Sequence, residues 1–159
     1  MSPATWSSAG GAVPTTGASQ IPSRVSWEKI DVGMTAEPFA APPLTVTDFV
    51  RYQGASGDMN PIHHDTLFAQ AAGYPAPFAV GMLQAGVLGT YVTDWFGARS
   101  VRRFRTQFRE QAWPGDVLTY TGTVVAKREQ DGERLVDVEL LVTRQTGGVH
   151  IKGWATVSL

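Results

Sequence analysis

Apolar and polar positions along the chain change period twice, and each change marks a different kind of element. After the breaker "APP", the stretch "LTVTDFVRYQGA" places Phe49, Val50 and Tyr52 on a short apolar face. Thr45 and Asp48 have the spacing of a capping box, so the pattern predicts a helix over 46–53, stopped by Gly54. "DTLFAQAAG" predicts a second short helix, with Asp65 as N-cap and Gly73 as its stop. "YPAP" breaks the chain, and "FAVGMLQAGVLGTYVTDWFG" follows as the most apolar run in the sequence. A helix apolar on nearly every side is a buried one. Its glycines, Gly81, Gly86 and Gly89, are expected where something approaches the backbone closely.

The second half alternates. In "RFRTQFREQ", Phe104, Thr106 and Phe108 fall on one side and Arg103, Arg105, Gln107 and Arg109 on the other. "WPGD" reads as a turn, "VLTYTGTVVAKRE" alternates again, "QDGE" is a hairpin signal, and "RLVDVELLVTRQ" and "VHIKGWATVSL" are two further strands joined through "TGG". A strand near "GMTAEPFA" is expected at an edge. Four consecutive strands after one buried helix predict an α+β domain, a curved antiparallel sheet wrapped around a long central helix.

The 159 residues suit one domain, which the pattern sets at 25–159. Residues 1–24, rich in Ser, Thr, Ala, Gly and Pro and uncharged before Arg24, are expected to form a flexible tail. That segment lacks the basic and apolar regions of a signal peptide, and no apolar run reaches the roughly 18 residues of a membrane span. With a net charge of −1, there is no bulk electrostatic case for a nucleic-acid or membrane partner. The chain has no cysteine, which excludes disulfides, thiolate metal sites and cysteine nucleophiles and suits a cytoplasmic location.

Candidate chemistry concentrates in "GASGDMNPIHHD", residues 54–65. A metal site fits poorly, because adjacent side chains such as His63 and His64 diverge and neither HExxH nor a Cys/His spacing is present. Pro61 fixes its own φ and keeps Asn60 out of the α region, which stiffens a loop able to bring Asp58 and His63 face to face. An Asp and a His sharing one site can divide proton transfer. On spacing alone the alternative stands beside it, that Asp58 caps a turn and His63 the next helix. Gly81 likewise has two readings: a helix-start N–H that polarises a carbonyl oxygen, or plain packing of helix on sheet.

"YQGASGDMNPIHHD" resembles the signature of the MaoC-like hydratases and dehydratases, the (R)-specific enoyl-thioester hydratase family, through Tyr52, Ser56, Gly57, Asp58, Asn60, Pro61, Ile62 and His63. "FAVGMLQAG" and "FRTQFREQAWPGD" resemble two further family segments, and the likeness extends over about residues 27–159. The resemblance implies a hot-dog fold, with Asp58 and His63 as the catalytic pair, Asn60 as a supporting residue and the Gly81 N–H as the oxyanion donor. It implies reversible hydration of a 2-enoyl thioester to an (R)-3-hydroxyacyl thioester, or the reverse dehydration. No metal or redox cofactor is implied; CoA or an acyl carrier's phosphopantetheine is part of the substrate. A pathway-specific enzyme acting on a polyketide or steroid thioester, and a non-catalytic or partner-dependent subunit of a heteromeric dehydratase, are the alternatives.

Two departures stand out: Val80 occupies the place of a family His, and small residues such as Gly86 and Gly89 stand where many relatives carry Ser. Arg103 and Arg105, in an arginine-rich run, are candidate contacts for CoA phosphates or an acidic carrier, or else a solvated strand face. His64 is expected at a surface or helix start, and Trp113 and Trp154 in packing roles. An unpaired sheet edge predicts a homodimer, or a hetero-oligomer with another hot-dog subunit.

Overall fold

The structure, a computed structural model, describes residues 25–159. The expected tail of residues 1–24 lies outside the described residues. Three helices, α1 (Val46–Ser56), α2 (Thr66–Ala71) and α3 (Gly81–Phe96), precede most of the sheet. Its strands are β1 (Phe39–Ala40), β2 (Val101–Phe108), β3 (Leu118–Gln130), β4 (Glu133–Arg144) and β5 (Val149–Ser158). All pairings are antiparallel, in the order β1-β3-β4-β5-β2. The sheet curls about α3 in the hot-dog arrangement, and the two-residue β1 is the edge strand expected near "GMTAEPFA".

Alternation along the strands builds the core. Leu118, Tyr120 and Val124 of β3, Val136, Val138, Leu140 and Val142 of β4, and Ile151, Ala155 and Val157 of β5 are all buried. They meet Ala85, Leu88, Val92 and Phe96 of α3, spaced at three and four residues so that they form one stripe. Asp131 and Gly132, at φ 51° and 78°, make the tight turn that "QDGE" announces between β3 and β4.

Three expectations need correction. The capping box forms, with Thr45 Oγ1 accepting from the Asp48 N–H at 3.2 Å and Asp48 Oδ2 from the Thr45 N–H at 3.0 Å. The helix, however, runs through Gly54 to Ser56. A single glycine costs a helix only about 1 kcal/mol, and Gly57, at φ 78°, supplies the left-handed stop. Second, α3 is not buried all round. Met82 is 58% exposed, because one sheet covers only one side of the helix. Third, the close approaches occur elsewhere than Gly86, where an added Cβ would meet nothing within 4 Å, and Gly89, where it would meet only Phe104 at 3.9 Å. Of the three helix glycines only Gly81 is closely approached, by Phe108; other close approaches lie on the strands, where a Cβ on Gly153 would stand 3.0 Å from Leu88 and one on Gly122 3.1 Å from Trp95.

Candidate active site

The loop after α1 is shaped by short local ties. Gly57 turns the chain while its N–H donates to Gln53 O at 2.9 Å. The Asn60 N–H donates to Asp58 Oδ1 at 3.3 Å. Asn60 Oδ1 in turn accepts from the Ile62 N–H at 3.1 Å and caps the 3-10 turn Pro61–His63, with Pro61 at its first position. One Asp58 oxygen is thereby engaged with the loop. The other, Oδ2, stands 4.0 Å from His63 Nε2.

His63 is the buried member of this pair, its side chain 11% exposed against 46% for Asp58. Its Nδ1 is 2.7 Å from Phe78 O, and its ring lies edge-on to the Phe78 ring at 5.1 Å. A carbonyl only accepts, so Nδ1 carries the hydrogen, and in the neutral ring Nε2 is a free acceptor directed at Asp58. Gln53, also buried, braces the loop from behind: its Nε2 donates to Asn60 O at 2.8 Å and its Oε1 accepts from His64 Nδ1 at 2.8 Å. His64 is thus an exposed bracing residue. Asp65 is the N-cap of α2, accepting from the Phe68 N–H at 3.0 Å.

Asp58, His63 and Gly81 line one cavity of about 310 Å³, together with Phe108, Arg109 and His150. Gly81 opens α3, and its N–H has no partner among the described residues, as the first N–H of a helix ordinarily lacks one. The preceding loop is pinned by the Ala79 N–H donating to Ala112 O at 2.8 Å. A Cβ on Gly81 would fall 2.7 Å from Phe108 Cε1, so tight packing and an unpartnered helix-start N–H coincide at this glycine. Asn60 is not among the residues lining the cavity; its side chain acts within the loop.

Arg103 and Arg105 lie elsewhere. They border a separate concavity on the outer sheet face with Trp154, and the Arg105 guanidinium sits 4.4 Å over the Trp154 ring. The arginine that reaches the Asp58–His63 cavity is Arg109, just beyond β2. Among the described residues, no group of three or more His, Asp or Glu side chains gathers as a metal would need, and no helix is long and apolar enough to cross a membrane.

Three polar residues escaped the sequence reading. Gln53 lies four residues after Phe49 on the buried face of α1, a spacing that marks it in hindsight. Asp116 is 4% exposed and accepts from the Trp113 N–H at 2.8 Å, Arg144 Nε at 2.7 Å and Gln145 Nε2 at 3.0 Å. Burial pushes its carboxyl up, but the hydrogen bonds from Arg144, Trp113 and Gln145 outweigh burial and hold it below the ordinary carboxylate value. His150 is 3% exposed, and simple alternation would have turned it away from the core.

A family profile described as the MaoC like domain matches residues 29–146. Enoyl-CoA hydratase ChsH3 of Mycobacterium tuberculosis is 32% identical over 125 residues, 74% of this chain and 42% of that protein. The 3-hydroxyacyl-thioester dehydratase Y of the same organism is 35% identical over 78 residues, 46% of this chain and 26% of that protein. The chain thus spans less than half the length of these curated relatives. Among solved structures, an (R)-hydratase from A. caviae superposes with a TM-score of 0.73 at 22% identity, covering 83% of this chain and 98% of that one. One chain of the ChsH1–ChsH2 complex of Mycobacterium tuberculosis matches at TM-score 0.70 and 25% identity, covering 81% of this chain and 98% of that one.

Proposed function

This chain belongs to the MaoC-like domain family, and we propose that it catalyses the reversible addition of water to a 2-enoyl thioester, giving an (R)-3-hydroxyacyl thioester. The observation that carries this reading is the convergence of three groups on one cavity: His63 Nε2, the Asp58 carboxylate 4.0 Å from it, and the unpartnered N–H of Gly81. The 4.0 Å gap is longer than a hydrogen bond, and one water oxygen can address both groups. The relatives named as hydratase and dehydratase support the same reaction class.

In the hydration direction, Asp58 orients the water by accepting one of its O–H groups. His63 Nε2 accepts the other proton as the oxygen bonds to the β-carbon. The alkene electrons move toward the thioester, and the developing oxyanion is held by the Gly81 N–H, strengthened by the positive end of the α3 dipole. The imidazolium then returns its proton to the α-carbon on the same face, and the overall result is syn addition of water. Dehydration is the same path reversed. The phosphopantetheine of CoA or of an acyl carrier is the handle of the substrate, and no step calls for a metal or redox cofactor.

The long unpaired edge of β2, with Phe104 and Phe108 38% and 47% exposed, supports assembly through that side, as a homodimer or with a second hot-dog chain. The test of function is loss of enoyl-thioester absorbance with crotonyl-CoA, with Asp58→Asn and His63→Ala in parallel. Turnover in the wild type that falls at least about a hundredfold in both folded variants supports the proposal. Wild-type turnover unaffected by either change refutes it.

A further inference from the structure

β5 contains one residue more than its neighbour can pair. Val142 pairs with Ile151 and Thr143 with Val149, so His150 is the unpaired residue of a β-bulge. Bulges re-aim side chains. Here His150, whose side chain regular alternation would direct to the outer face, is 3% exposed and is one of the residues lining the cavity that Asp58, His63 and Gly81 share.

The chemical state of this ring follows from its contacts. Nδ1 lies 2.6 Å from the backbone carbonyl of Glu110, which can only accept, so Nδ1 is the protonated nitrogen. Burial pulls the ring's pKa down and the nearby Arg144 charge adds to this, against the Glu110 carbonyl and the Asp116 and Glu110 charges. The ring is therefore neutral near pH 7, and Nε2 is a lone-pair acceptor. Nε2 is buried and has no hydrogen-bond partner among the described residues. Buried polar atoms are satisfied in the great majority of cases, and those left over call for a ligand or another functional account.

We propose that His150 is a third polar residue of this site, accepting at Nε2 a hydrogen bond from an O–H or N–H of the bound thioester. This rests on the thioester reading above. The donors such a substrate carries are the 3-hydroxyl of the hydrated acyl group and the amide N–H groups of its pantetheine arm. His150 is a binding and specificity residue; proton transfer stays with His63 and orientation of the water with Asp58.

The test compares His150→Leu, which removes the acceptor, with His150→Gln, whose amide oxygen can reach the place of Nε2. Because the glutamine amide can also donate to the Glu110 carbonyl, the acceptor is isolated by the comparison among substrates rather than by the difference between the variants. If the donor is pantetheine N–H, His150→Leu raises KM about tenfold for crotonyl-CoA and for (R)-3-hydroxybutyryl-CoA. It then leaves the S-butyl thioester of crotonate, which has no N–H, unchanged. If the donor is the 3-hydroxyl, KM rises for (R)-3-hydroxybutyryl-CoA alone. In either case His150→Gln recovers most of the loss. Independently, the 15N resonance of His150 Nε2 in the wild type moves when (R)-3-hydroxybutyryl-CoA saturates the protein. A resonance that stays still at saturation, with His150→Leu matching the wild type on all three thioesters, overturns the proposal. Wild-type turnover scores the hydratase reading separately: an inert protein whose His150 resonance still moves retains this binding role and loses that activity.

Discussion

Gly81→Ala tests how the helix start and the cavity wall are joined. The added methyl would stand 2.7 Å from Phe108 Cε1 and 2.9 Å from Cδ1, about 1 Å inside normal carbon contact. Either the ring or the helix start must move by about that amount. Within a single chain the ring yields more easily, since Phe108 is 47% exposed at the last position of an edge strand. The backbone of Gly81 is not in the left-handed region, so alanine adds no strain of its own and removes about 0.4–1 kcal/mol of unfolded-state entropy. Overpacking against a ring that can yield costs about 1 kcal/mol, the low end of its range, so the gain offsets part or all of it and stability is expected to change by less than about 1 kcal/mol. Activity responds differently. Phe108 lines the cavity, and a shift of about 1 Å in reacting geometry costs about a hundredfold in rate. Urea unfolding and crotonyl-CoA turnover are to be measured on Gly81→Ala, Phe108→Ala and the double variant. The expected result is near-native stability, a fall in kcat/KM of at least about tenfold in Gly81→Ala, and partial recovery in the double variant, where the clash is gone. Full activity in Gly81→Ala would refute the coupling, and a double variant no better than Gly81→Ala would refute the steric cause.

Asp116→Ala, which takes the Asp116 carboxylate from the partly buried Arg144 guanidinium and leaves it only Glu110 at 3.9 Å, is expected to cost about 1.5–3 kcal/mol in chemical denaturation; a loss below about 1 kcal/mol would contradict the role assigned to the network. Because the folded pKa of Asp116 is depressed below its ordinary 3.8, its contribution is complete above that value and disappears as pH falls through the folded pKa. The variant's stability should therefore decline less than the wild type's in that acid range. His150 is depressed below 6.5, chiefly by burial, so the unfolded chain binds the proton more readily. Stability should fall on acidification from about pH 6.5 toward the folded pKa, and His150→Leu should flatten that slope in thermal melts. Gln84→Leu removes a buried amide whose Oε1 has no partner among the described residues and should stabilise by about 1 kcal/mol; destabilisation would show that the amide is satisfied. Light scattering behind size exclusion should report a dimer or larger assembly, and a stable monomer would sink the edge-pairing proposal.

Most of the fold was legible because its signals are local. Alternation in "VLTYTGTVVAKRE" and the caps at Thr45 and Asp65 act within a few residues, and each element formed nearly where its pattern lies. The loop bearing Asp58 and His63 was legible for the same reason, since Asn60 and Pro61 act on their immediate neighbours. What escaped depends on partners distant in sequence. Whether Gly54 or Gly57 stops α1 turns on which residue takes φ 78°, and both present the same side chain. The arginines of β2 alternate identically whether or not they reach the cavity; only the departure of the chain after Phe108 brings in Arg109. His150 was concealed because period-two reading assumes an unbroken register, and the missing pair is a property of β4 and β5 together.

That missing pair bears on how such a site can arise. Were His150 excised, Val149 and Ile151 would become neighbours, and their partners Thr143 and Val142 already are, so the hairpin would close as an ordinary ladder. Every inward position from Ile151 to Val157 would keep its partner. A single inserted codon in an ancestral regular hairpin would thus add an imidazole to the cavity without replacing a core residue. Gain and loss of this side chain are one mutational step apart, and among homologues it is expected to come and go as a length change in the last hairpin.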